Sequence, residues 1–301
     1  MTLRIAIPDL ISPSYFPAIA AVELGFLREG GQEATIDLHF PVEDLFKALR
    51  EGEYDYVGAS AHAALYAFTD WDGCRLVCAL SQGMYWFLVV RSDLDVDPND
   101  LRSLRGLRIG AAPGPADGLR QLLRAVAIDP DHDLTLGPVP ASGDAGVSFG
   151  VAAAAALGEG SVDGFWANGM GAEVAVRRGV GKVILDARRG PRPDGIEDYT
   201  FAALVTTERR THDLPDEVRY VRDAITRAQQ ALVRDPQLAR EVALPHFPEA
   251  EVGLISDLIQ RDAPFYDPAI SDRSIQAMHR FASELGLTSA PPPEPDQLVF
   301  R

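Results

Sequence analysis

"IAIPDLISPSYFPAIAAVELGFL", residues 5–27, decides how the rest of the chain is read. The β-branched run Ile5–Ile7 reads as a strand that stops at Pro8. A loop carrying Ser12, Pro13 and Ser14 follows, and then a long apolar helix with Tyr15 and Phe16 at its mouth. A strand that ends in Ser hydroxyls and free backbone N–H groups at a helix start builds a ligand cradle. The same arrangement opens any α/β domain, so the neighbouring sequence has to discriminate.

Working outward, strand and helix alternate. The strands "RIAI", "ATIDLHF", "YDYVGAS" and "CRLVCALS" are separated by the helical stretches 16–31, 42–54 and 61–69. Ala18, Ala21, Val22 and Leu24 keep a helical rhythm, whereas the strands are short apolar runs. Such alternation predicts right-handed βαβ units and a mostly parallel sheet with helices on both faces. The run "MYWFLVVRSDL" is a long strand leaving this unit, a second α/β unit follows, and "YTFAALVTT" returns. From there the chain reads as helical, ending in the extended tail "APPPEPDQLVFR".

The predicted organisation is α/β: residues 1–90 form the first part of lobe I, 91–198 an inserted lobe II, and 199–301 a return strand with helices packing on lobe I. Two crossing strands, 85–92 and 199–207, form a hinge, and no internal sequence repeat is read.

At 301 residues, 47% hydrophobic and 24% charged, the chain reads as soluble and globular. A net charge of −16 argues against nucleic acid, since phosphate neutralisation needs Lys and Arg clusters. No stretch is long and apolar enough to predict a membrane span. Cys74 and Cys78, four residues apart on a predicted strand, are too far apart for a disulfide. The six histidines show no ligand spacing, so neither a metal site nor a cofactor is expected. Met1–Arg4 runs straight into the first strand. A cytoplasmic location is therefore expected from the sequence as it stands, or a periplasmic or extracellular one if a leader was removed.

"AVELGFLREGG", "ALREGEYDYVGAS", "FLVVRSD", "DLRSLRGLRIGAAPG", "LGEGSVDGFWAN" and "YTFAALVTTERR" together resemble the NMT1/THI5-like (SsuA/TauA-type) substrate-binding proteins. That resemblance spans residues 3 to 285. It implies a type II periplasmic-binding-protein fold with a two-strand hinge and a C-terminal helical cluster. It also implies a small-molecule ligand and, if the protein is exported, an ABC-transporter permease as partner. The pyrimidine-synthase relatives carry a Cys-rich motif and a cofactor-binding Lys, and the desulfinase relatives a Cys nucleophile in the first loop. This chain has "LISPSYFP" there and only Lys47 early in the sequence, so neither chemistry carries over.

In open α/β sheets ligands bind beyond the carboxyl ends of the strands. That rule selects Ser12, Ser14, Tyr15, Phe16, Ser60, His62, Gln82 and Tyr85, and further along Gly114, Ser142, Trp166 and Asn168. These turns offer hydroxyls, amides and aromatic walls with almost no Lys or Arg, a lining for an aromatic or heterocyclic ligand or a small anion. Each has a plainer structural reading: Ser as helix cap, Gly114 as turn, Trp166 as core, and Tyr85 and Trp86 on opposite faces of a strand. His62, at a helix start whose dipole disfavours its charged form, is the catalytic candidate.

Two functions follow as expectations. The first is a solute-binding protein that closes by hinge motion on its ligand in the interlobe cleft. The alternative is a cytoplasmic enzyme of lyase or hydrolase type acting on an aromatic acid or sulfinate-like substrate, with His62 as acid/base.

Overall fold

The computed structural model describes residues 2–10, 12–139, 149–247 and 249–301. The chain begins β1 (Leu3–Ile7), α1 (Phe16–Glu23), β2 (Ala34–Leu38), α2 (Val42–Glu51), β3 (Tyr56–Ser60) and β4 (Cys74–Ser81). It continues with β5 (Phe87–Arg91), β6 (Arg108–Ala111), α3 (Pro115–Ala125), β7 (Thr135–Gly137), α4 (Phe149–Gly158), β8 (Gly164–Ala167), α5 (Gly169–Arg177) and β9 (Gly181–Asp186). After β10 (Ala202–Thr207) only helices remain: α6 (Glu208–Asp213), α7 (Pro215–Arg234), α8 (Leu238–Ala243), α9 (Glu249–Asp262), α10 (Asp272–Glu284) and α11 (Pro295–Leu298). These elements form two compact units, Met1–Gly83 with Asp198–Arg301, and Met84–Glu197.

The first unit is built on a sheet of order β2-β1-β3-β10-β4, in which β10 runs antiparallel to both neighbours. Its strands are apolar runs because helices cover both faces. On one face α1 is buried throughout its first six residues, Phe16 to Ala21. A Cβ on Gly58 would lie 3.0 Å from Leu80, 3.1 Å from Ile7 and 3.9 Å from Ala18, so the absence of a side chain there lets α1 sit close to the sheet. On the other face Leu45, Phe46 and Leu49 of α2, Ile275 and Met278 of α10 and Leu298 of α11 pack with Val57, Leu76 and Val205. α2 has the spacing of a half-buried helix, acidic residues in its first turn and Arg50 in its last, and it stops at Gly52, whose φ is 84°. The C-terminal tail closes the outer edge of β4, where Val299 pairs with Leu76 and the Phe300 N–H donates to the Leu76 carbonyl at 2.9 Å.

The second unit repeats the pattern, with strand order β7-β6-β8-β5-β9 and β5 antiparallel to β8 and β9. At its boundary the Met84 N–H donates to the Glu197 carbonyl at 2.8 Å. Helices α4 and α5 cross where Gly150 meets Gly171; a Cβ on Gly171 would lie 2.8 Å from the Gly150 Cα.

The likeness of the two units extends to single bonds. "ALREGEYDYVGAS" (48–60) and "ALGEGSVDGFWAN" (156–168) share Ala-Leu-x-Glu-Gly-x-x-Asp-x-x-x-Ala and end in a residue that precedes a helix. In the first unit the Arg4 N–H donates to Asp55 Oδ2 at 2.8 Å and its guanidinium to the Glu53 carbonyl at 3.0 Å. In the second the Arg108 N–H donates to Asp163 Oδ2 at 3.0 Å and its guanidinium to the Ser161 carbonyl at 2.9 Å. This corrects the reading of the chain as free of internal repeats. The repeated residues are few because most positions in each unit answer to their own packing.

Candidate functional site

The parallel strands of the first unit end together, and β10 begins among them. Ala202 pairs with both Ser60 at the end of β3 and Ser81 at the end of β4. Directly opposed residues of antiparallel strands face the same side, so Ser60 and Ala202 form a short row, and a register shift between Ala202 and Ala203 brings Ser81 opposite Ala202 from the other flank. Ser60 and Ser81 are buried. Ser60 precedes the 3-10 helix Ala61–Tyr66, and its side chain makes no capping bond to it.

The loop after β1 lies at the same sheet end. Ser12, Ser14, Tyr15 and Phe16 are all buried, and the Tyr15 N–H closes a turn onto the Ser12 carbonyl at 3.1 Å. Ser12 is 1% exposed, and its hydroxyl has no hydrogen-bond partner among the described residues. A buried hydroxyl without a partner carries a desolvation penalty, which a ligand group bonded to it would relieve. Phe16, the first residue of α1, is fully buried and belongs to the core.

His62 occupies a different environment from the one expected. It is fully buried, its Nδ1 lies 2.9 Å from Thr200 Oγ1, and its ring meets Phe281 edge-on at 5.1 Å. Burial, rather than a helix dipole, lowers its pKa to about 3. It is a neutral imidazole held by a hydroxyl and an aromatic ring. Gln82 is committed to structure as well: its Nε2 donates to the carbonyls of Asp267 (2.8 Å) and Ala269 (2.7 Å).

In the second unit the corresponding strand-end row is Ala167, Phe87 and Asp186. Gly114 holds φ 81° ahead of α3, a conformation that favours glycine. Trp166 is fully buried, and its indole N–H donates to the Pro115 carbonyl at 3.0 Å, making it a strut between β8 and α3. Asn168 caps α5, its Oδ1 accepting from the N–H groups of Met170 (3.1 Å) and Gly171 (3.3 Å). Asn168, chosen from the sequence as a ligand contact, is thus used as a helix cap. Ser142 lies outside the described residues. Tyr85 and Trp86 are not strand residues, because β5 begins at Phe87. Instead of facing opposite ways, their rings pack 4.8 Å apart, and both are buried.

Sequence reasoning missed three contributors. Ser81 closes the run "CRLVCALS" and was legible as a strand end. Tyr266 donates its hydroxyl to the Pro13 carbonyl at 2.6 Å, a partner 253 positions away that no local pattern signals. Arg188, just beyond β9, is 6% exposed with its guanidinium 5.5 Å from the Tyr85 ring centre. The second unit thus has a cation among its strand-end turns, against the expectation of almost none.

No group of three or more His, Cys, Asp or Glu that could hold a metal ion occurs among the described residues. Cys74 and Cys78 are buried free thiols, each pushed up to about 12 by burial and so inert as nucleophiles. No helix among the described residues is long and apolar enough to cross a membrane.

No family model and no curated protein matches the sequence. Solved structures do match. A protein from Bordetella bronchiseptica RB50 superposes with a TM-score of 0.74 at 18% identity, over 99% of this chain and 94% of that one. The ligand-binding component of an ABC-type import system from Staphylococcus aureus, with zinc bound, gives 0.72 at 15% identity, over 99% and 96%. The alkanesulfonate-binding protein SsuA from Xanthomonas axonopodis pv. citri, bound to MOPS, gives 0.71 at 17% identity, over 95% and 92%. With these superpositions, the two five-stranded sheets and the helical C-terminal cluster establish a type II periplasmic-binding-protein-like fold.

Proposed function

We propose that this protein binds a small solute at its strand-end loops in the manner of an ABC-importer substrate-binding protein, with motion accompanying binding where the chain leaves the first unit after Gly83 and returns to it at Asp198. The observation that carries this reading is the Ser12 hydroxyl, buried and without a hydrogen-bond partner among the described residues, in the loop that follows β1. At the same end of the sheet, Ser60 and Ser81 close β3 and β4 on either side of the start of β10. The ligand class is a small aromatic, heterocyclic or anionic molecule, the finer placement is the NMT1/THI5-like branch, and an ABC-transporter permease is the partner if the protein is exported. The solved ABC-type import and alkanesulfonate-binding structures support this direction. The enzymatic alternative is not favoured: its acid/base candidate, His62, is fully buried against Phe281.

Native mass spectrometry of freshly purified protein, followed by titration with alkanesulfonates, aromatic sulfonates and nitrate, tests the proposal. A co-purified small molecule, or saturable binding weakened by Ser12→Ala, is the expected result. Wild-type protein that carries nothing and binds none of the panel would overturn it.

A further inference from the structure

The short segment between α9 and α10 bonds two parts of the first unit that are far apart in sequence. On one side the Tyr266 hydroxyl donates to the Pro13 carbonyl at 2.6 Å, inside the turn that Tyr15 closes onto Ser12. On the other, the Gln82 N–H donates to the Phe265 carbonyl at 2.8 Å and the Gln82 side chain to the carbonyls of Asp267 and Ala269. The Ala79 N–H adds a bond to the Pro268 carbonyl at 3.0 Å. Gln82 and Gly83 are the last residues of the first unit before the chain enters the second.

The segment is stiff. Pro264 and Pro268 fix φ at two positions. The Tyr266 N–H bonds the Ala263 carbonyl at 3.0 Å, the Asp267 N–H bonds the Phe265 carbonyl at 3.0 Å, and the Ala269 N–H bonds Asp267 Oδ1 at 2.9 Å. The residue that holds Pro13 is flanked directly by the two residues, 265 and 267, whose carbonyls hold Gln82. A displacement of the first loop therefore reaches the outgoing passage through one peptide unit on either side, with no flexible linker to absorb it.

We propose that residues 265–269 are a clasp that makes the Ser12–Phe16 loop and the outgoing passage at Gln82–Gly83 order and loosen together. Tyr266 and Gln82 are its positioning residues. The consequence, that a ligand ordering the first loop also orders the passage, rests on the ligand-binding reading above. The coupling itself does not, and it can be measured without a ligand.

Hydrogen exchange followed by mass spectrometry on the full chain is the test, with Tyr266→Phe and Gln82→Met as variants. Tyr266→Phe removes one hydroxyl and keeps the ring. It should speed exchange about tenfold in peptides covering both 12–18 and 79–83, with β3 and the second unit unchanged. Gln82→Met should do the same at 12–18, a segment to which the Gln82 side chain makes none of the bonds described. Acceleration confined to each variant's own partners would overturn the clasp. Uniform acceleration that includes β3 would overturn it too, since that would mark general destabilisation. Failure to find any ligand would leave these exchange results standing and would sink only the proposed function.

Discussion

His62 Nδ1 and Thr200 Oγ1 lie 2.9 Å apart in the interior of the first unit, and neither residue is exposed to solvent. Burial lowers the His62 pKa to about 3, whereas an unfolded histidine titrates near 6.5. The unfolded chain therefore binds the extra proton between those values. The stabilisation is fully present above about pH 6.5 and is lost as pH falls toward 3. By pH 5 the wild type should have lost about 2 kcal/mol more, relative to pH 7.5, than a His62→Gln variant. Urea midpoints of both proteins at the two pH values check this, and parallel pH responses would refute it.

Arg210 joins α6 to the sheet. It pairs with Asp55 and with Glu217 (2.8 Å), and its guanidinium stacks 5.2 Å from the Tyr56 ring centre, whose hydroxyl also donates to Glu217 at 3.0 Å. Removing the cation would leave the partly buried carboxylates of Asp55 and Glu217 without their shared counter-ion. Arg210→Met should lower unfolding free energy by about 3 kcal/mol, toward the lower end for a broken buried pair because Arg210 is 16% exposed. Denaturant titration measures it; a loss below about 0.5 kcal/mol would show the pairs to be screened as surface pairs are.

Trp166 is a strut, so its truncation should act on stability. Trp166→Ala should cost about 3–5 kcal/mol through the cavity and the lost bond to Pro115. A thermal midpoint within a degree or two of wild type would instead mark the ring as dispensable to the core.

Ser12 makes the opposite prediction. Its hydroxyl is buried without a partner, so Ser12→Ala should leave the ligand-free protein as stable as wild type or about 1 kcal/mol more stable. The same change should weaken binding of whichever compound in the panel saturates the protein. Loss of stability in the ligand-free state would show that the hydroxyl is bonded within the fold.

Much of the architecture was present in local patterns. The run "CRLVCALS" is β4 residue for residue, and the break after Ile7 is the end of β1. Short apolar runs between amphipathic stretches have few alternatives once helices must cover both faces of a sheet. Candidate turns were legible too, because strand ends follow directly from strand positions. The roles of the side chains in those turns were not. Asn168, Ser60 and Ser12 look alike in sequence as polar residues at helix or loop starts. The structure makes the first a cap, shows no cap at the second and leaves the hydroxyl of the third unbonded among the described residues.

What the sequence by itself determined is the order and type of the elements, because hydrophobic periodicity and turn residues act over fewer than ten positions. What only the tertiary structure decided is which polar groups are used up by the fold. Tyr266 meets Pro13 across 253 residues, Thr200 meets His62 across 138, and Gln82 meets Ala269 across 187. A hydrogen bond depends on atoms a few ångströms apart in space, whatever their separation along the chain. Whether a serine is a cap, a core residue or a ligand contact is therefore settled only once distant segments have packed against it.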